Sequence, residues 1–190
     1  ISVNYDTEWQ NNYWATGEVG DVFMENMSQA LETSEPGFSF NYMRDDETLR
    51  NACTEVTSAD PDDVCNLGSV NLSRIQNISE FAEVVDLATK FLLCGTIRGE
   101  VPYAGIEATR EKNRRLGLGL MGMHEWLIQR GEKYNVTPEL HKWLHVYKIV
   151  SDKASKEFAD HLSVSRPVAN RAIAPTGSIG ILAGTSTGVE

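Results

Sequence analysis

Val64-Cys65-Asn66-Leu67-Gly68-Ser69-Val70-Asn71-Leu72 is the stretch on which the fold class turns. Val64, Leu67, Val70 and Leu72 are apolar, and Gly68 and Ser69 are small interruptions, so residues 64–72 read as a strand. A few residues on, 78–97 carry an apolar stripe of Phe81, Val84, Val85, Ala88, Phe91 and Leu92. That spacing is helical, and Ser79 with Glu80 behind it supplies the opening. A short strand leading into a long amphipathic helix is the building unit of α/β folds.

The same alternation runs outward from this unit. Residues 19–31 space Val22, Phe23, Met27, Ala30 and Leu31 as an amphipathic helix after a mixed, aromatic-rich stretch at 3–14. Glu35-Pro36-Gly37 is a turn signal, and 38–42 alternate large and small residues as a strand does, before a charged loop at 44–47. The Asp-rich stretch 59–63 reads as a solvated loop. Downstream, 116–130 are expected to form a helix that is unusually rich in small residues at its start. A long helix over 138–162 follows, with Pro138 in its first turn. Residues 171–174 and 179–183 are short apolar, strand-like runs around Pro175-Thr176-Gly177-Ser178.

Composition narrows the function. The chain has 190 residues, enough for about one domain with a real core. With 41% apolar residues it is neither disordered nor collagen-like. Its 27 acidic against 17 basic residues leave a formal charge of −10, which repels the backbone of DNA or RNA. No apolar run is long enough to span a membrane, and no signal segment opens the chain. Three cysteines, an odd number, argue against a secreted disulfide scaffold and for a reducing cytoplasm. Cys53, Cys65 and Cys94 lack the spacing of a zinc site, so no metal is expected. Ile1 is not an initiator Met, and Glu190 follows a Gly- and Thr-rich segment, so the expectation is one incomplete domain, 1–190, of a longer protein.

Asn51-Ala52-Cys53-Thr54-Glu55 carries the most chemistry. If the segment is extended, Asn51, Cys53 and Glu55 share one face, roughly 6–7 Å apart in succession. An amide, a thiol and a carboxylate would then form one patch able to orient hydroxyls, act as nucleophile or radical site, and take a proton. The alternative is a turn with a buried cysteine and two solvated polar residues. Cys65 is either a reactive thiol at the head of its strand or a small core residue, and Cys94 reads as core filler on the apolar side of its helix. Gly117-Leu118-Gly119-Leu120-Met121-Gly122 matches a dinucleotide fingerprint, with Glu139 about 20 residues on. It fails as one, because Arg110-Glu111-Lys112-Asn113-Arg114-Arg115 cannot be the buried strand that must precede it. The turn at Pro175-Thr176-Gly177-Ser178-Ile179-Gly180 either binds phosphate through exposed N–H groups or is an ordinary connection, and without a lysine it is no Walker motif. His124, His141, His145 and His161 read as surface or groove residues.

Taken together, four ordered stretches resemble the large catalytic subunit of ribonucleotide reductase: residues 51–55, residues 64–72, Arg114-Arg115-Leu116-Gly117-Leu118-Gly119-Leu120-Met121-Gly122, and residues 174–186. The resemblance implies a ten-stranded α/β barrel with a finger loop at its centre, of which this chain is the middle part. It implies reduction of ribonucleotides to 2′-deoxyribonucleotides for DNA synthesis. Cys53 would be the thiyl-radical residue, Glu55 the base on the ribose 3′-OH, and Asn51 a hydrogen-bonding partner of the ribose hydroxyls. Cys65 would be half of the reducing dithiol, paired with a cysteine on an earlier strand upstream of Ile1. Pro175, Thr176, Gly177, Ser178 and Ile179 would hold the substrate phosphates, and the backbone at Ala52 and Thr54 would line the pocket. The more familiar first motif reads Asn-Pro-Cys-Gly-Glu, so Ala52 and Thr54 are departures from it.

The run 175–184 is closer to the adenosylcobalamin-dependent class than to the class fed by a di-iron partner subunit. Glu55 speaks against the glycyl-radical class. The implied partners are the ribonucleotide, a thioredoxin- or glutaredoxin-type reductant, the rest of the reductase chain and a second copy in a homodimer. Two other classes compete with this reading. One is a thiol–disulfide protein that pairs Cys53 with Cys65. The other is a non-catalytic interaction fragment, favoured if Asn51, Cys53 and Glu55 face different ways.

Overall fold

The structure is a computed structural model and describes residues 2–41 and 46–189. It falls into two compact units that divide between Pro61 and Asp62. In the first unit, β1 (Ser2–Tyr5) leads into α1 (Thr7–Thr16) and α2 (Asp21–Thr33) and returns as β2 (Gly37–Phe40), parallel to β1. Asp6 caps α1 by accepting from the Trp9 N–H, and Gly17, at φ +75°, ends it. Tyr5, Trp9, Phe23, Phe38 and Phe40 pack as an aromatic cluster with ring centroids 4.9–6.2 Å apart. A two-residue hairpin of β3 (Leu49–Arg50) and β4 (Thr57–Ser58) completes the unit. The strand expected at 38–42 is found up to Phe40, while Tyr42 and the first half of the charged loop at 44–47 lie outside the described residues.

The second unit is built on parallel strands. β5 (Asn66–Asn71) pairs with β6 (Leu116–Met121) in the register Asn66↔Leu116 through Asn71↔Met121. On the other edge of β6, residues 169–172 run alongside. The Leu116 and Leu118 N–H groups donate to the Ala169 and Asn170 carbonyls, and the Ala172 N–H donates to Leu118 O. A short 3-10 turn (Leu72–Arg74), α3 (Ile78–Arg98) and α4 (Ala104–Asn113) connect β5 to β6. α5 (Met123–Ile128) and α6 (Pro138–His161) lead on from β6, and α7 (Gly177–Ala183) follows the third extended segment. Helices α3 and α6 pack on each other and cover one face of the strands.

That covered face is the core. Leu116, Leu118 and Leu120 of β6 meet Phe81, Val85, Leu92 and Leu93 of α3, with Trp126, Trp143 and Tyr147. Phe81 stacks on Trp143 at 4.9 Å, and Trp126 meets Trp143 edge-on at 5.0 Å. Each fully buried side chain of this kind contributes about 1.5–3 kcal/mol. Both long helices begin at a side-chain cap. The Asn77 side chain accepts from the Ser79 and Glu80 N–H groups at 3.0 Å each, so Asn77 rather than Ser79 opens α3. Thr137 caps α6 with Pro138 behind it.

Four expectations from the sequence are corrected. Residues 116–130 are not one helix: 116–121 form the strand β6, buried along its whole length, and only 123–128 are helical. A strand closed in on both faces shows an unbroken apolar run rather than alternation, which hides it from a periodicity reading. Residues 179–183, expected as a strand, belong to α7. Phe91 is 75% exposed, because it lies past the edge of β5, where it lines an apolar groove of about 400 Å³ with Leu67 and Leu87. Cys94 is exposed rather than core. Among the described residues, no strand pairs with that outer edge of β5.

Two measurements on the intact protein check this packing. A methyl group on Gly119 would lie 2.6 Å from the Ala172 carbonyl oxygen, a backbone atom with little freedom to move. Gly119→Ala therefore lowers stability by about 1–3 kcal/mol in urea unfolding. The segment 169–172 is tied to α6 through Asp152, which accepts from Arg171 Nη1 at 2.6 Å and Asn170 Nδ2 at 3.0 Å. Burial alone would raise the Asp152 carboxyl, but these bonds and the Arg171 charge outweigh it and hold it below its ordinary value. A carboxyl lowered in the folded state stabilises above its unfolded value of about 3.9 and loses that contribution as pH falls through the folded one. Stability measured against pH therefore falls less steeply on the acid side for Asp152→Asn than for the parent.

Candidate active site

Asn51, Cys53 and Glu55 lie on the turn of the β3–β4 hairpin, not on an extended strand. The Thr54 N–H donates to the Asn51 carbonyl at 3.1 Å, which closes a four-residue turn. The Asn51 side-chain oxygen accepts from the Val56 N–H at 3.1 Å and braces the loop from within. The single-face arrangement expected for an extended segment is thus replaced by a turn, which asparagine favours by bonding to nearby backbone. Within it the exposures divide. Cys53 is exposed, whereas both carboxylate oxygens of Glu55 are shut off from solvent and have no hydrogen-bond partner among the described residues. The base of the hairpin is anchored by Arg50, which donates from Nε to Ser39 Oγ at 2.6 Å and also to the Asn41 side chain.

Thr54 stands at φ +67°, in the left-handed region. A β-branched residue is a genuine outlier there, and the more familiar form of this motif has glycine at that position.

In the second unit Cys65 is half-buried just ahead of β5. By strand alternation it shares a face with Leu67, Ser69 and Asn71, opposite the helix-covered core. The neighbouring strand answers with Gly117 and Gly119. A methyl group on Gly117 would sit 2.8 Å from Cys65 Sγ and 3.3 Å from the Ala172 Cβ. Gly117 and Gly119, the first two glycines of the run that fails as a nucleotide fingerprint, therefore lie inside the strand, where they make room for a sulfur and a neighbouring backbone. Asp63, two residues ahead of Cys65, is held by the Arg115 Nε at 2.9 Å, the Asn113 amide at 3.0 Å and the Val64 N–H at 2.9 Å.

Pro175, Thr176, Gly177, Ser178 and Ile179 form the turn into α7. Thr176, at φ +50°, is buried, and its Oγ1 accepts from the Gly188 N–H at 2.7 Å. Pro175, Gly177, Ser178 and Ile179 are exposed. The N–H groups of 177–179 belong to a first helical turn and have no intrahelical acceptor. Among the described residues, nothing lies within 4 Å of where a Gly177 Cβ would be. Cys65 is at the leading end of β5, while this turn follows the trailing end of the parallel segment 169–172, so the two mark opposite ends of the strands.

Sequence reasoning missed one group of residues. Glu125, in the first turn of α5, accepts from the Ser186 N–H at 2.8 Å, Ser186 Oγ at 2.6 Å and Thr185 Oγ1 at 3.1 Å. Burial would raise this carboxyl, but the hydrogen bonds, led by the Ser186 hydroxyl, hold it below its ordinary value. Asn71 at the end of β5 receives the Ser73 N–H and hydroxyl on the same side-chain oxygen that faces Thr185. A single helix over 116–130 gives Glu125 no assigned role. Gly122, at φ +71°, is the sequence signal that the strand ends and a new helix begins there.

The family model described as "Ribonucleotide reductase, barrel domain" matches residues 6–160. The chain belongs to this ribonucleotide reductase barrel family. A protein of Mycobacterium phage D29 that bears the name of an adenosylcobalamin-dependent ribonucleoside-triphosphate reductase is 30% identical over 149 residues, covering 74% of this chain and 21% of its own length. The vitamin B12-dependent ribonucleoside-diphosphate reductase of Thermoplasma acidophilum is 28% identical, covering 93% of this chain and 25% of its own. The chain thus spans a quarter or less of these relatives. The crystal structure of a B12-dependent class II ribonucleotide reductase superposes with a TM-score of 0.73 at 21% identity, over 98% of this chain and 29% of that one. In fold, the parallel strands and their covering helices are a portion of the reductase α/β barrel.

Within this reductase barrel the hairpin turn offers a direct test. The left-handed conformation costs an ordinary residue about 1–2 kcal/mol. Glycine's extra freedom in the unfolded chain costs about 0.5–1 kcal/mol. Thr54→Gly should therefore stabilise the intact protein slightly, by roughly 0.5–1 kcal/mol in urea unfolding. A lower midpoint would mean that the threonine side chain makes contacts worth more than the strain.

Proposed function

We propose that residues 1–190 are part of one catalytic domain of a ribonucleotide reductase, which reduces ribonucleoside di- or triphosphates to 2′-deoxyribonucleotides for DNA synthesis. The observation that carries this reading is the Glu55 carboxylate, hidden from water and without a donor among the described residues, two positions from an exposed thiol. A buried carboxylate with no donor is costly unless a ligand supplies one. A ribose hydroxyl is a donor of that kind.

The roles then follow from the chemistry. A thiyl at Cys53 takes the 3′ hydrogen atom, forming S–H as C–H breaks, since the two bonds are close in strength. Glu55 accepts the 3′-OH proton, which helps the 2′ hydroxyl leave as water. Asn51 uses its side-chain oxygen within the turn, which leaves its N–H₂ to donate to the ribose. Cys65 and a second cysteine deliver two electrons and two protons and become a disulfide, which a thioredoxin- or glutaredoxin-type protein reduces again in a reducing cytoplasm. Ala52 and Thr54 line the pocket with their backbone, and the turn Pro175–Thr176–Gly177–Ser178–Ile179 holds the phosphates through first-turn N–H groups.

The names of the phage and Thermoplasma relatives favour adenosylcobalamin as the radical source. The exposure of Cys53 on its turn fits a thiol that must be reached from outside the hairpin. When bound, this cofactor supplies the radical that removes the hydrogen atom from a thiol. We place the chain in a larger reductase polypeptide that works as a homodimer.

In the intact enzyme, Cys53→Ser should abolish nucleotide reduction while substrate still binds in equilibrium dialysis. Glu55→Gln should lower kcat by about 10²–10⁴-fold, the usual contribution of general base catalysis, with an unchanged circular dichroism spectrum. Near-normal turnover by Cys53→Ser would remove the hairpin from the mechanism.

A further inference from the structure

The geometry points to Glu125 as a positioning residue that sets the phosphate-holding turn at 175–179, an inference that rests on the reductase reading of that turn. The turn itself is weakly built. α7 has seven residues, and Thr176, which leads into it, stands in the left-handed region. What holds it is the strap 184–188. The Thr185 N–H donates to Gly180 O at 3.0 Å and the Gly188 N–H to Thr176 Oγ1 at 2.7 Å. Close approach requires Gly180, where a methyl group would meet Thr187 Cγ2 at 2.9 Å.

The strap in turn is fixed to the sheet by Glu125. One carboxylate oxygen takes the Ser186 N–H, and the other takes the Ser186 and Thr185 hydroxyls. Beside it, the Gly122 N–H donates to Ser186 O at 3.0 Å, so the strap is gripped at both its donor and its acceptor groups. Glu125 therefore relays the position of the β6–α5 corner through Thr185 to Gly180, and through the strap to Thr176. It touches no substrate on this reading. Its effect is on where the Gly177, Ser178 and Ile179 N–H groups point.

In the intact enzyme, Glu125→Gln keeps the shape but loses one acceptor oxygen. KM for the nucleotide should rise about ten-fold, the weight of a charge-assisted hydrogen bond, while kcat stays within about two-fold. Inorganic tripolyphosphate, which can engage only a phosphate site, should lose inhibitory potency by the same factor. Ser186→Ala should do likewise, and the double variant should add little to either, as for residues in one network. Ser186→Ala also carries the test if Glu125→Gln does not fold.

A loss of thermal stability with KM and tripolyphosphate inhibition unchanged in both variants would overturn the positioning role. Ser178→Asp separates the two levels, because it sets a carboxylate on the turn at a helix start that tolerates one. If Ser178→Asp leaves KM and tripolyphosphate inhibition unaltered, the phosphate assignment of the turn is wrong. If Ser178→Asp raises KM and Glu125→Gln does not, the phosphate assignment stands and only the role of Glu125 fails.

Discussion

Strand β6 is enclosed on both faces, and its two faces make opposite demands on the side chains. Toward the helices it needs volume, which Leu116, Leu118 and Leu120 supply against α3 and α6. Toward the other side it can have almost none, because Leu67, Cys65, Ser69 and the backbone at Ala172 would crowd any Cβ at positions 117 and 119. Alternating leucine and glycine is one way to meet both demands in a single strand of period two. Large residues at 117 and 119 would push away the strands on either side, and with them the sheet that carries every other element of this unit.

The glycine face also bears on the proposed chemistry. Cys65 Sγ lies over Gly117 at a distance that leaves no space for a methyl group. The proposed electron exchange at Cys65 needs a thiol in a defined position, which the flanking glycine helps provide. Asp63 adds rigidity from the chain side. Its pairing with Arg115 is almost fully buried, at 6% and 9% side-chain exposure, and breaking such a pair costs about 3–5 kcal/mol. The segment leading into Cys65 is therefore among the least yielding parts of the unit.

Much of this was legible in the sequence where local chemistry and tertiary demand agree. The long helices at 78–98 and 138–161 have clear apolar stripes, and side chains cap both. The strand at 66–71 was readable from its apolar residues and small interruptions. Strand β6 was not, because burial on two faces removes the alternation that marks a strand and leaves a glycine-rich apolar run that suits a helix equally well. That one misreading also concealed Glu125, since a helix running through 116–130 hides the strand-to-helix corner at Gly122 beside which it sits. Residues 179–183 failed for a related reason: five apolar residues carry too little periodicity to distinguish a strand from two turns of helix. Phe91 and Cys94 were misplaced because a stripe indicates which side of a helix is apolar but not where the covering sheet ends.

The hairpin shows a different limit. Its residue types were readable, and its backbone was not. Asn51 to Glu55 reads as an alternating face only if no residue leaves the extended region, and two local bonds make it leave: Asn51 Oδ1 to the Val56 N–H and Asn51 O to the Thr54 N–H. The resulting turn does what a strand could not, since it exposes a thiol while withdrawing from water a carboxylate two residues away. The roles proposed for them, a thiol reached by a radical source and a base kept from bulk water, have conflicting needs for exposure. On one strand face they would share a single environment. A tight turn separates them over two positions of chain, which gives a physical reason for a left-handed residue at position 54 and for the cost of placing a threonine there.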